Sequence, residues 1–171
     1  MLLLCRAHPN KKRTPMACCT TVRWIYSPAE RVFAALRDIH LYPTWFASVR
    51  QAQWQATPLR AVGERGTLMS GRHTLEMQIC DYAEGRLIAF DVQAVGRQTR
   101  DILQVEPTFD GARVTYTSEL VTLLTTNPQV QGRMPFSKKL FDDLLSTLKT
   151  QLDGAPMPAA SHTLDMRELH R

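Results

Sequence analysis

Four residues between His73 and Ser118 have side chains suited to chemistry and fall in step with apolar neighbours. Tyr116 and Ser118 alternate with Val114 and Leu120, so on an extended strand all four point to one side. Hydroxyls placed there could orient a carbonyl or hydroxyl of a bound molecule, although a buried Tyr ring with its hydroxyl bonded at the rim is the plainer expectation. Asp101 keeps step with Leu103 and Val105. In a dry interior it could act as a base; beside Arg97 and Arg100, a surface ion pair is simpler. His73 keeps step with Leu75 and Met77, and an enclosed histidine could serve as a general base near neutral pH. It also begins a strand next to Arg72, where a solvated end is expected. None of the three titratable residues is assigned a catalytic role on this ground. Glu76, Asp91 and Glu119 fall on the opposite, outward parity.

Several chemistries find no support. The five histidines are scattered, none stands four residues from another ligand, and vicinal Cys18-Cys19 lacks the spacing of a zinc site. No glycine-rich phosphate loop, nucleophile elbow or dinucleotide fingerprint occurs, so neither metal nor cofactor is expected.

The elements that position these residues follow from periodicity. Ala17 to Tyr26 is rich in β-branched and aromatic residues and free of Gly and Pro, which predicts a first strand. Ser27 can cap a helix that starts at Pro28 and buries Val32, Phe33 and Leu36. Pro43 then stops the pattern, biases Tyr42 away from helical dihedrals and presents Trp45 and Phe46 as an apolar plug. Further strands are expected at Val49 to Gln55, Thr67 to Gly71, His73 to Tyr82, Ile88 to Val92, Thr99 to Glu106 and Arg113 to Leu124. Gly63 and Gly66, Glu84-Gly85, Gly96 and Asp110-Gly111 mark the turns. An amphipathic helix starts near Arg133 to Ser137 and runs to about Asp153, with Leu140, Phe141, Leu144, Leu145, Leu148 and Leu152 on one side. Such an order gives an α+β domain with an antiparallel sheet packed against one helix.

The chain has 171 residues, 44% hydrophobic and 22% charged, and no apolar run long enough for stable membrane insertion. Its net charge of +5 is unevenly placed. Residues 1–16 hold Arg6, Lys11, Lys12 and Arg13 with no acid; 17–154 hold 15 basic and 14 acidic residues; 155–171 hold two of each. A nearly neutral body without a cationic stripe argues against nucleic acid as a partner. Three regions are therefore expected: a basic, disordered tail at 1–16, a folded body at 17–154 and a flexible tail at 155–171. Cys5, Cys18, Cys19 and Cys80 suggest no disulfide framework, and Met1 to Cys5 is too short for an export signal, which points to a cytoplasmic protein. Met16 is an alternative start.

The segment Ile25-Tyr26-Ser27-Pro28-Ala29-Glu30 with Val32-Phe33, Asp38, the turn Tyr42-Pro43-Thr44-Trp45, Gly63 and Gly66 before the third strand, and the closing helix together resemble the START-like or helix-grip (SRPBCC) superfamily. The bacterial polyketide cyclase/dehydratase-like branch is the most similar. The resemblance spans about residues 17 to 153. It implies a curved seven-stranded antiparallel sheet wrapped around a long C-terminal helix, two short helices between strands 1 and 2, and an internal cavity for a hydrophobic small molecule, without cofactor.

On that frame the candidate lining residues are Leu75, Met77, Ile79, Ile88, Phe90, Val92, Leu103, Val105, Val114, Tyr116, Ser118 and Leu120 from the strands. Phe141, Leu144, Leu145 and Leu148 follow from the helix, and Met134 and Phe136 from the region before it. Thr125 to Pro135 is a candidate lid, and Trp45 and Trp54 are candidate gates, Trp45 being more simply a plug that closes the short-helix turn against the sheet. Three functions fit. The first is binding or transport of a lipid, isoprenoid, polyketide or aromatic compound. The second is a cyclase/dehydratase using pocket acid or base groups, and the third an interaction module with a vestigial cavity. An enzyme should place at least two titratable groups in the cavity, one with a perturbed pKa. Monomer and homodimer are both compatible with the sequence.

Overall fold

The computed structural model describes residues 17–55, 62–94, 96–123 and 138–153. In chain order these form β1 (Ala17–Ile25), α1 (Ala29–Arg37), a 3-10 turn (Ile39–Leu41), α2 (Tyr42–Trp45), β2 (Val49–Trp54), β3 (Arg65–Ser70), β4 (His73–Ala83), β5 (Leu87–Ala94), β6 (Arg97–Thr108), β7 (Gly111–Leu123) and α3 (Lys138–Asp153). The two tails, the Thr125 to Pro135 region with Met134, and Phe136 lie outside the described residues.

All seven strands join one antiparallel sheet in the order β1-β7-β6-β5-β4-β3-β2. The sheet curves, and α3 packs on its inner face, giving the expected α+β helix-grip architecture. Period-two alternation decides which side chains go inside. On β7, Ala112, Val114, Tyr116, Ser118 and Leu120 are buried while Arg113 is exposed; on β6, Thr99, Leu103 and Val105 are buried. The helix presents Phe141, Leu144, Leu145 and Leu148 to this face, at the spacing of one helical stripe. Its outer side carries the Lys138–Asp142 and Lys139–Asp143 pairs, four residues apart.

Polar ties fix α3 to the edge strand β1. The Thr21 hydroxyl donates to the Asp142 carboxylate, Arg23 Nη2 to the Asp142 carbonyl at 3.2 Å, and the Tyr26 amide to Asp153 Oδ1 at 2.9 Å. On the outer face of β1 and just beyond it, Val22, Trp24 and Tyr26 are exposed.

Three local expectations are corrected. Ser27 does not cap α1: Pro28 is the N-cap, its carbonyl accepting from the amides of Arg31 and Val32 at 3.0 Å, and Ser27 Oγ is buried without a partner. Tyr42 is helical, at φ −54° and ψ −40°. The preceding 3-10 turn carries the chain into α2, and the buried Tyr42 hydroxyl donates to the Leu36 carbonyl at 2.8 Å, so tertiary contacts outweigh the bias imposed by Pro43. Gly66 lies inside β3 and not in the turn before it. A Cβ there would stand 2.9 Å from the Gln53 carbonyl oxygen and 3.0 Å from the Trp54 ring, so only glycine lets Trp54 close over the strand.

Candidate functional site

Between the sheet and the helices lies a cavity of about 30 Å³. Its wall is built by Tyr42, Trp45 and Phe46 from α2 and its end, Leu68 from β3, Met77 from β4, Phe90 and Val92 from β5, Asp101 and Leu103 from β6, Tyr116 from β7 and Leu144 from α3. Most of these are apolar. Of the residues expected from sequence, Met77, Phe90, Val92, Leu103, Tyr116, Leu144 and Asp101 are on this wall. Ile79, Ile88, Val105, Val114, Ser118, Leu120, Phe141, Leu145 and Leu148 are buried behind or beside it, and Leu75 is only half-buried. His73 is exposed at the start of β4, away from the cavity.

Tyr42, Phe46 and Leu68 were not among the expected lining residues. Leu68 could have been found from alternation in the short third strand, since Gly66 and Leu68 share a face; Tyr42 and Phe46 reach the wall only because α2 docks as it does. That docking is aromatic. The Tyr42 and Trp45 rings lie 4.5 Å apart, Trp45 and Phe46 stack at 6.3 Å, and Gln151 of α3 donates to the Thr44 carbonyl at 2.5 Å. Trp45 is a buried plug whose indole Nε1 has no hydrogen-bond partner.

The polar end of the cavity is made by adjacent strands. Register places Asp101 directly opposite Ser118 and Leu103 opposite Tyr116, so these side chains share the inner face. Ser118 Oγ donates to Asp101 Oδ1 at 2.6 Å, and the hydroxyls of Tyr116 and Thr99 lie against the same carboxylate and favour its charged form. Burial outweighs them and pushes the Asp101 carboxyl up to about 6. Burial, then the charge of Asp101, holds the Tyr116 hydroxyl well above its usual range. Phe141 meets the Tyr116 ring edge-on at 4.4 Å and closes the cluster from the helix side.

The expected surface pairing of Asp101 with Arg97 or Arg100 does not occur. Arg100 points to the other side of the sheet and forms a two-pronged pair with Asp91, at 2.8 and 3.1 Å. Among the described residues, what remains inside is an aspartate held by hydroxyls. Such a group can accept a proton or a hydrogen bond at neutral pH and give one back when protonated. Among the described residues no group of three or more His, Cys, Asp or Glu side chains could hold a metal ion.

The sequence from residue 16 to residue 153 matches the model of the family described as polyketide cyclase / dehydrase and lipid transport. The chain belongs to this family. No curated protein matches the sequence significantly. Solved structures share the family's fold at low identity. A protein of Mesorhizobium loti superposes with a TM-score of 0.64 at 15% identity, covering 82% of this chain and 100% of its own. A START superfamily protein of Mycobacterium smegmatis gives 0.58 at 17%, covering 80% and 94%. A protein from the dynemicin biosynthetic locus gives 0.59 at 13%, covering 80% of this chain and 47% of its own. Membership of this family and its START-like fold supports binding of hydrophobic ligands in general. Among the described residues no helix is long and apolar enough to cross a membrane.

Proposed function

We propose that the protein binds a hydrophobic small molecule between the sheet and α3, with Asp101, Tyr116 and Ser118 meeting the molecule's polar end. The observation that carries this reading is that Asp101 meets hydroxyls and no cation among the described residues. A core that served only for stability would gain from an apolar residue there, because an enclosed carboxylate without a cation is costly. A vestigial cavity gives no reason for such a group.

At about 30 Å³ the space has room for a water and falls far short of the roughly 300 Å³ at which ligand pockets begin. Binding therefore parts the wall. The seam between α2 and α3 is the candidate entry, since Gln151 and Thr44 hold it through exposed hydrogen bonds that exchange readily with water.

Native mass spectrometry of the protein purified from its own host tests the reading. A co-purified hydrophobic species is the expected result; an empty protein whose tryptophan fluorescence no apolar compound perturbs would overturn it. A second reading, a cyclase/dehydratase, is favoured by Asp101 and Tyr116 standing together in the cavity with the Asp101 carboxyl raised to about 6, close to the value useful to an acid or base. If it holds, the co-purified molecule is converted on incubation, and Asp101→Asn keeps it bound while abolishing conversion.

A further inference from the structure

We infer that the cavity selects a hydrophobic molecule whose polar end donates a hydrogen bond, such as an alcohol, phenol or amine, and disfavours one ending in a carboxylate or phosphate. This rests on the binding reading above and deepens it.

The donors at the polar end are already engaged. A hydroxyl has a single proton to give, and that of Ser118 goes to Asp101 at 2.6 Å, with the Tyr116 and Thr99 hydroxyls against the same carboxylate. The Tyr42 proton goes to the Leu36 carbonyl. What these groups still offer a newcomer is lone pairs, on the carboxylate and on the hydroxyl oxygens. Among the described residues of the wall an unspent donor is Trp45 Nε1, which suits an acceptor elsewhere on the molecule.

Charge points the same way. No Lys, Arg or His stands among the described residues of the cavity wall, and none of the described ion pairs includes Asp101. Arg100 turns outward to Asp91, and Arg97, on the inner-face parity of β6, lies off the wall. An anionic end would meet a like charge with no described cation beside it, in a place that solvent screens less than the outer face, whereas a hydroxyl or ammonium would form a charge-assisted hydrogen bond.

Three ring-matched probes separate the possibilities: 2-naphthol, 2-methoxynaphthalene and 2-naphthoate, titrated into the full chain at about pH 7.5, where Asp101 is ionised. Naphthol should bind about tenfold tighter than methoxynaphthalene, with naphthoate weakest. Asp101→Asn should erase the naphthol advantage and relieve the penalty on naphthoate. Asp91→Ala, which removes a carboxylate from the outer face and leaves the cavity wall intact, should keep the order. Equal affinities, or naphthoate tightest in the wild type, would overturn the inference while leaving hydrophobic binding intact. Failure of all three probes to bind would remove the binding reading and the inference with it. The wild-type order decides the matter even if Asp101→Asn does not fold.

Discussion

Asp91 and Asp101 occupy neighbouring rungs of the same ladder, Asp91 opposite Arg100 and Asp101 opposite Phe90, yet they face opposite sides of the sheet. On the outer side Asp91 meets a guanidinium in a two-pronged pair. On the inner side Asp101 meets, among the described residues, hydroxyls and a mostly apolar wall. One residue of register thus separates a neutralised surface carboxylate from an enclosed one whose proton affinity is raised. The lesson is that residue type says little about role in this sheet. What matters is which face the residue takes and whether a cation can follow it there.

The largest effect should come from opening the inner compartment. Phe141 is fully buried and closes over the Tyr116 ring, so Phe141→Ala should lower unfolding free energy by about 3–5 kcal/mol in denaturant titrations. Water entering beside Asp101 should also bring its carboxyl back toward 3.8, readable by carbon NMR of labelled aspartate. A cost under about 1 kcal/mol with an unmoved carboxyl would mean that the compartment is not dry.

The next effect belongs to Asp101 itself. Its folded value of about 6 lies above the ordinary 3.8, so between these pH values the folded protein holds a proton that the unfolded chain has released. Stability therefore falls as pH rises from about 4 to about 6 and stays lower above that, by something on the order of 3 kcal/mol. Asp142, lowered mainly by hydrogen bonds from Lys138 and Thr21, slopes the opposite way. The difference between wild type and Asp101→Asn isolates the contribution. A difference that stays flat across the window would place Asp101 in water.

The inner face was legible in the sequence because a strand's side chains alternate strictly: counting by two from Leu103 and from Val114 brings Asp101, Tyr116 and Ser118 inside. Their juxtaposition was legible too, though only by a second count. The β6–β7 hairpin closes Thr108 on Gly111 across a two-residue turn, and stepping seven residues back along each strand lands on Asp101 and Ser118. That count replaces the expected surface pair with Arg97 or Arg100. The α2 part of the wall could not be read this way. Tyr42 is held helical by a buried hydrogen bond to Leu36 and by Trp45, and Phe46 reaches the cavity through that docking, all contacts without a sequence period. The size of the cavity was equally hidden, since an apolar stripe looks the same whether its side chains meet or leave a space.

The smallest effect should come from the outer pair, and it tests the comparison from the other end. Arg100 and Asp91 keep 38% and 26% of their side-chain surface, so solvent screens them and ordering two side chains offsets part of the attraction. A double-mutant cycle with Asp91→Ala and Arg100→Ala should give a coupling of about 1 kcal/mol or less, shrinking as salt is added. Both variants should leave the order of the three naphthalene probes unchanged, because neither residue is on the cavity wall. The neighbouring Cys80 thiol, raised to about 11 by burial and then by Asp91, supplies an internal reporter. It should become easier to ionise in Asp91→Ala, and alkylation rates at alkaline pH would show it. A coupling well above 1 kcal/mol, or a change in probe order, would mean that the outer pair braces Asp101 through the backbone. The two faces of the sheet would then have to be treated as one site.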